Sequence, residues 1–358
     1  AIGIPELMDS YTFAQYFNRA SSNRGGGDIF SPAVMERIKA YQEGTLTATT
    51  VDNGSGIWQK WANANGNTDW FGEFYDNWVP SQEHNLSISG GTEKLQYVLS
   101  GSFLDQKGLL RHGTDKFQRY TLNSKITANI TDWLKVTLNS KWTREDFQRP
   151  TYLTSSFFHN LARKWPVHPA YDPNGFPMDE GEIEQMENGG EQNSQKDYYT
   201  NQLHVVIEPI KNWRINLEGS VRTTTQYQHW EVLPVHAYDV NGDPYYTVWD
   251  MGYGSYSAGS SRVDEYSWKE NYYTTNIYSD YFKQFDNGHY FKVMAGFNAE
   301  LYKKGGLTGF GTDLITPSVP ELNTTQDNKN AYNSASELAI AGFFGRINYN
   351  YKERYLLE

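Results

Sequence analysis

Cysteine is missing from all 358 residues, which excludes a disulfide framework, a thiolate metal site and a cysteine nucleophile. Nowhere do 18 apolar residues run together, so no segment reads as a transmembrane helix. Basic residues are in deficit, 31 Lys and Arg against 42 Asp and Glu for a net charge of −11. A nucleic-acid partner would need the opposite, a basic face, so none is expected. Aromatics, by contrast, are abundant at 16%, which excludes a disordered chain. The mean hydropathy of −0.71 leaves membrane residence open, because a β-barrel wall alternates lipid-facing and lumen-facing residues and averages out as polar.

The first eighty residues read as helical and loop-rich. Asp9 can N-cap a helix over Ser10–Ala20; Ser31-Pro32 supplies a cap and an N1 proline for Ala33–Glu43, with Gly44 as the stop. From His84 the hydrophobic period changes to two. Leu122, Ile126, Ala128 and Ile130 share one face, then Leu134, Val136, Leu138 and Trp142, then Trp213, Ile215, Leu217 and Val221 against Arg214, Asn216, Glu218 and Arg222. Soluble sheets alternate in the same way, so the connections carry the distinction. Short turns at 91–94, 131–132, 209–212, 286–289 and 352–354 alternate with long links at 105–116, 147–198, 226–264 and 303–337. Compact soluble domains seldom hold several such loops, whereas outer-membrane barrels pair short periplasmic turns with long outer loops. Strands of about 10–15 residues suit tilted membrane spans, and Trp133, Tyr120, Trp142, Trp213, Tyr349 and Tyr351 near strand ends suit interfacial girdles. The fold class expected is all-β, a transmembrane antiparallel β-barrel. Nine complete strands and the start of a tenth at Tyr355 cannot close a barrel with every edge paired, so the chain reads as a fragment of a longer polypeptide.

An ordered set of short motifs resembles SusC/RagA-type TonB-dependent outer-membrane transporters. These are Pro5–Tyr11, Asn67-Thr68-Asp69-Trp70, His84–Lys94, Leu104–Gly108, Phe117-Gln118-Arg119-Tyr120, Asp132–Val136 and Phe344–Tyr349 with Tyr355–Glu358. The resemblance implies part of a 22-stranded, plugged barrel with short helices in extracellular loops. Residues 1–82 would be an extracellular excursion following the first barrel strand, and 83–358 barrel strands. It implies a Gram-negative outer-membrane location in contact with outer-membrane lipid. It also implies a SusD-like lipoprotein lid and energisation by TonB-ExbB-ExbD through parts outside these residues, since no plug or TonB box is found here.

Catalytic chemistry finds little footing, and a non-enzyme without cofactor or metal is expected. No histidine pair has metal-ligand spacing. His168 and Asp172 could pair but sit among turn residues; Asp179, Glu180, Glu182 and Glu184 supply acids for a glycosidase but read more simply as a solvated, repelling loop face. Asp239–Asp243 lacks an EF-hand's spacing, and Asn241-Gly242 reads as a tight turn. Ligand contact is better supported. Trp165, Tyr171, Trp230, Tyr238, Trp249 and Tyr253 fall in long loops, where ring faces suit sugar C–H groups or peptide side chains; the plainer reading is that they hold the loops together. The function expected is active import of oligosaccharides or peptides. The alternatives are a soluble glycan-binding or glycan-hydrolysing β protein and a passive porin.

Overall fold

The computed structural model describes residues 6–250 and 255–358. Its helices lie in the N-terminal segment and the loops. α1 (Ser10–Asn23) starts at Asp9, whose carboxylate accepts from Thr12 N at 2.9 Å. α2 (Pro32–Gln42) is capped by Ser31, and Gly44 follows at φ 75°. α3 (Trp70–Phe74) is capped by Asp69, α4 (Ser155–Arg163) by Thr154, and α5 is Ile183–Asn188.

The long strands are β1 (Ser81–Gly91), β2 (Leu95–Lys107), β3 (Lys116–Thr131), β4 (Leu134–Pro150), β5 (Glu191–Ile210) and β6 (Trp213–Val232). Four short strands follow, β7 (His236–Tyr238), β8 (Pro244–Tyr246), β9 (Trp249–Asp250) and β10 (Ser255–Tyr256). Then come β11 (Arg262–Gln284), β12 (His289–Leu314), β13 (Thr325–Tyr351) and β14 (Tyr355–Leu357). Among the described residues, ten strands form one open antiparallel sheet, a partial barrel wall, in the order β1-β2-β3-β4-β5-β6-β11-β12-β13-β14. β7–β8 and β9–β10 are separate hairpins.

Register aligns the alternation of each strand with its neighbours. Leu134, Val136, Leu138 and Trp142 of β4 pair with Ile207, Val205, Leu203 and Tyr199 of β5. Further round, Ile215, Leu217 and Val221 of β6 pair with Ser279, Ile277 and Tyr273 of β11, and Val293, Phe297 and Leu301 of β12 lie level with Tyr281, Ile277 and Tyr273. One largely apolar face results, with Leu122 57%, Leu203 46% and Ile277 44% exposed. From Leu134 to Trp142 is eight steps of about 3.4 Å, or about 27 Å along the strand; on a strand tilted about 40° this is about 20 Å of height, close to the ~25 Å apolar band of a barrel wall. Trp213 and Tyr281 border this belt at the tight-turn end, and Trp142, Tyr199 and Tyr273 at the loop end.

The opposite face is polar and largely satisfied within itself. Tyr302 donates to Glu270 at 3.2 Å, Asn298 to Asn276 at 2.6 Å, and Arg222 lies 3.6 Å from Glu270.

β1 and β2 keep to the expected 10–15 residues, with 11 and 13, and the sheet strands from β3 to β13 exceed it. β4 has 17, β11 has 23 and β13 has 27, so the links between sheet strands shrink to 108–115, 151–190, 233–261 and 315–324. Beyond the belt, both faces of the strands are mostly polar. Pairs such as Gln148–Glu191 and Arg149–Gln192 keep the ladder going where no hydrophobic alternation marks it.

Candidate functional site

The densest burial lies at the loop end of the sheet. One cluster joins Trp70 and Phe74 of α3, Phe157 and Leu161 of α4, Ile183 and Met186 of α5, Val232 at the end of β6 and Val235 just beyond it. A second sets Ala14, Phe30, Val34 and Ile38 against Val167, with Phe13, Phe17 and Trp165 alongside. Segments far apart in sequence are thereby fused into one loop assembly. Its polar interior is ordered around a ring stack. His168, fully buried, lies between Trp61 at 4.5 Å and Trp70 at 5.9 Å, and its Nδ1 accepts from Trp61 N at 3.4 Å. Lys164 Nζ sits 4.7 Å from the Trp70 ring centre.

The acids of 179–184 do not form the solvated, repelling face expected of them. Lys60 Nζ bridges Asp179 and Glu180 at 2.6 Å each, and the Trp61 indole N–H donates to Glu180. Burial pulls the Lys60 ammonium down, but hydrogen bonds and charge from Asp179 and Glu180 more than offset it, and its pKa is raised. Glu182 is buried beside Lys164 at 3.0 Å and also accepts from Tyr152 Oη at 3.0 Å and Asn160 Nδ2 at 2.7 Å. Glu184 accepts from Asn188. Most of these acids have drawn in a donor from a distant segment, which local sequence cannot show. His168 and Asp172 do not pair either; Asp172 instead accepts from Asn174 N and Phe176 N and shapes its own turn.

Between these pairs opens a cleft of about 600 Å³. The polar side of α4 supplies Ser156, His159, Asn160 and Arg163; Trp61 and Trp165 supply ring surface; Glu180, Glu182 and Gln185 face them. The cleft combines indole faces with amide, hydroxyl and charged groups, a mixture able to hold a polar ligand by stacking and hydrogen bonding. Among the described residues, no group of three or more His, Asp or Glu gathers with metal-holding geometry.

The predicted ligand aromatics occupy several environments. Trp165 lines the cleft while its other contacts are Phe13, Phe17 and Phe30 at 4.7–5.7 Å. Tyr171 donates to Glu73 at 3.0 Å; burial, then that acid, pushes its hydroxyl up to about 12. Trp230 stands at the loop end of β6, against the first cluster with the Arg262 guanidinium 6.0 Å away. Tyr238 stacks on Phe176 at 4.0 Å. Trp249 lies in β9, and Tyr253 lies outside the described residues. Trp165, Tyr171, Trp230 and Tyr238 are not brought to one place. Trp61 and Gln185, which sequence reasoning missed, share the cleft with Trp165; no local motif marks them.

Sequence reasoning also missed an internal repeat. Ala170-Tyr171-Asp172-Pro173-Asn174-Gly175-Phe176-Pro177 and Ala237-Tyr238-Asp239-Val240-Asn241-Gly242-Asp243-Pro244 share the pattern A-Y-D-x-N-G-x-P. Both fold as hairpins, with Tyr171 bridged to Pro177 and Tyr238 to Pro244. In each, the aspartate accepts from the backbone N–H groups two and four residues on, and the glycine takes φ near +90°. Asn174 Nδ2 donates to Val240 O at 3.2 Å, tying the two hairpins together. Asp172→Ala is expected to destabilise the loop assembly by about 1–2 kcal/mol, seen as faster amide exchange in both hairpins.

Acid should loosen the same assembly. Burial, helped by the charges of Lys164 and Lys60, holds the His168 imidazole well below its ordinary 6.5. The unfolded segment takes up a proton near that value and the folded one refuses it. Stability is therefore full above about pH 6.5 and declines as pH falls below it, by up to roughly 1.4 kcal/mol per unit. Amide exchange around Trp61 and Trp70 should accelerate between pH 7 and pH 5, and His168→Gln should flatten that dependence.

No protein-family model matches the chain. In sequence it is 25% identical over 318 residues to the TonB-dependent receptor SusC of Bacteroides thetaiotaomicron, a match covering 81% of this chain and 29% of that protein. In fold it matches the RagAB peptide transporter with a TM-score of 0.73 at 17% identity, covering 98% of this chain and 39% of that one. Against the "open-open" state of the RagAB peptide importer the TM-score is 0.67 at 18% identity, over 84% and 33% of the two chains. The chain is thus a SusC homologue with the fold of a TonB-dependent barrel transporter, spanning less than a third of the curated relative's length. The matched proteins are named as receptors, transporters and importers, not enzymes.

Proposed function

We propose that the chain supplies part of the wall and the outer loop assembly of an outer-membrane importer that works with a SusD-like surface lipoprotein and is energised by TonB-ExbB-ExbD. The observation that carries this reading is the apolar belt, backed by a polar face, with tight turns at one end and the loop assembly at the other. In this reading the loop assembly, including residues 1–82, faces outward, and residues 83–358 supply barrel strands.

The cargo is an oligosaccharide or peptide too large for passive diffusion. Trp165 in the cleft contacts it, Tyr171, Trp230 and Tyr238 brace the loop assembly around it, and Trp249 and Tyr253 are further cargo contacts in the same long link. The chain's own residues bind and orient cargo and perform no covalent step. Homology to a TonB-dependent receptor favours active import over a passive pore.

The test is purification of the full-length protein from detergent-extracted outer membrane, followed by uptake assays with labelled oligosaccharide and peptide pools. A co-purifying lipoprotein and uptake abolished by loss of TonB are expected. A species that stays monodisperse in water without detergent would overturn the reading.

A further inference from the structure

The apolar belt has a gap. At one level of the sheet, cross-strand partners run Ile88, Leu99, Ser124, Ser140, Asn201, Val221, Tyr273. The three central members are small or polar, on a face otherwise built of large apolar side chains. The row on the loop side holds Leu122, Trp142 and Tyr199; the row on the turn side holds Ile126, Leu138 and Leu203. Against the loop-side row lies a groove of about 610 Å³, walled by Leu86, Ile88, Leu99, Leu122, Trp142 and Tyr199, floored by Ser124, Ser140 and Asn201, and opened further by the missing side chain of Gly101. Ser140 Oγ donates to Asn201 Oδ1 at 2.8 Å. Among the described residues, no hydrogen bond reaches the Asn201 amide nitrogen or the Ser124 hydroxyl.

A free amide donor facing hydrocarbon is costly, since lipid tails offer no acceptor. The occupant should therefore bring an acceptor at this height and apolar bulk beside it. The vertical order of the wall identifies such a molecule. Two residues toward the loops, about 7 Å along the strand, Trp142 and Tyr199 stand at the edge of the belt. Two residues further, Arg144 grips Asp197 through two hydrogen bonds of 2.9 Å, and the Trp142 indole donates to the same carboxylate at 3.1 Å. Apolar rows, then amide and hydroxyl, then indole and phenol, then charge: this is the order in which a membrane lipid presents its tails, its acyl carbonyls and its headgroup.

We propose that the groove seats one acyl chain of a lipid from the loop-side leaflet, with the lipid's acyl carbonyl accepting from the Asn201 amide. Five strands at about 4.8 Å spacing give the groove a run of about 19 Å across the sheet; on strands tilted about 40° that run slopes through about 12 Å of height, most of the roughly 15 Å depth of one leaflet's hydrocarbon. A second copy of the protein is disfavoured by size. A stable protein interface needs about 800 Å² per partner, and the polar floor here is three side chains wide. Apolar contact alone does not select this site, because free lipid offers the same; the carbonyl–amide hydrogen bond does. The proposal rests on the membrane-spanning reading of the sheet.

The test uses the full-length protein reconstituted with ester-linked dioleoyl phosphatidylethanolamine, then delipidated stepwise and weighed by native mass spectrometry. The wild type should retain bound lipid. Retention should fall roughly three- to fifteen-fold in Ser140→Leu/Asn201→Leu, in the milder Asn201→Ala, and in wild type loaded with the diether analogue, which lacks the carbonyl. Thr275→Leu, on the same face away from the groove, should retain lipid as the wild type does. Equal retention in all four proteins, or a dimer mass that disappears in the double variant, would overturn the proposal. Failure of the wild type to insert into vesicles would instead overturn the membrane reading beneath it.

Discussion

Arginine in place of Leu203 should lower the stability of the reconstituted full-length protein by about 2–4 kcal/mol, while arginine in place of the adjacent Gln202 should cost less than about 1 kcal/mol. The two positions differ by one residue and by one face. Leu203 pairs with Leu138 across the middle of the apolar belt, where a guanidinium would meet hydrocarbon. Gln202 pairs with Asn139 and Ser220 on the polar face, where water and neighbouring polar groups can solvate it. Urea unfolding from vesicles reads the difference. Equal costs at the two positions would show that the belt does not face lipid.

The second large effect lies in the loop assembly. Lys164→Ala should destabilise that unit by about 3–5 kcal/mol, because it leaves the buried Glu182 carboxylate without its cation. The lysine side chain is 2% exposed and that of Glu182 6%, so both charges are largely out of water even though they border the cleft. Nζ also donates to Glu180 O at 2.8 Å, so the loop around Glu180 and Glu182, both at positive φ, loses a tether as well. Removing both charges together, as Lys164→Met with Glu182→Leu, should recover much of the loss. Amide exchange in 151–190, with the sheet as internal control, checks both outcomes. An unchanged exchange pattern in the single variant would mean that the ion pair does not stabilise the loop assembly.

What was legible in the sequence follows from how local its causes are. Helix caps at Asp9 and Ser31 act within three residues, and both helices start where those residues place them. Strand alternation is equally local: the faces read from Trp213–Thr225 are the faces that the pairing with β5 and β11 uses. Strand ends were less legible, because pairs such as Arg149–Gln192 extend the ladder without an alternating signature. The site was least legible. Lys60 meets Glu180 across 120 residues and Trp61 meets His168 across 107, so a run of acids that looked mutually repelling is neutralised by partners no window contains. The twin A-Y-D-x-N-G-x-P segments were visible in principle, and a search for internal repeats is the signal that finds them.

The central claim is that one face of the sheet meets lipid and the other does not. No native cysteine in these residues competes with a direct measurement: single cysteines at 134 to 142 along β4, in a full-length protein with any cysteine elsewhere replaced by serine, each carrying a nitroxide after reconstitution, with relaxation by oxygen compared against relaxation by a water-soluble nickel chelate. Oxygen should dominate at 134, 136, 138 and 142, the chelate should gain at 135, 137, 139 and 141, and the ratio should oscillate with a period of two. A ratio that stays flat along the strand, with the chelate reaching both faces equally, would contradict the account and leave a water-exposed sheet in place of a membrane wall.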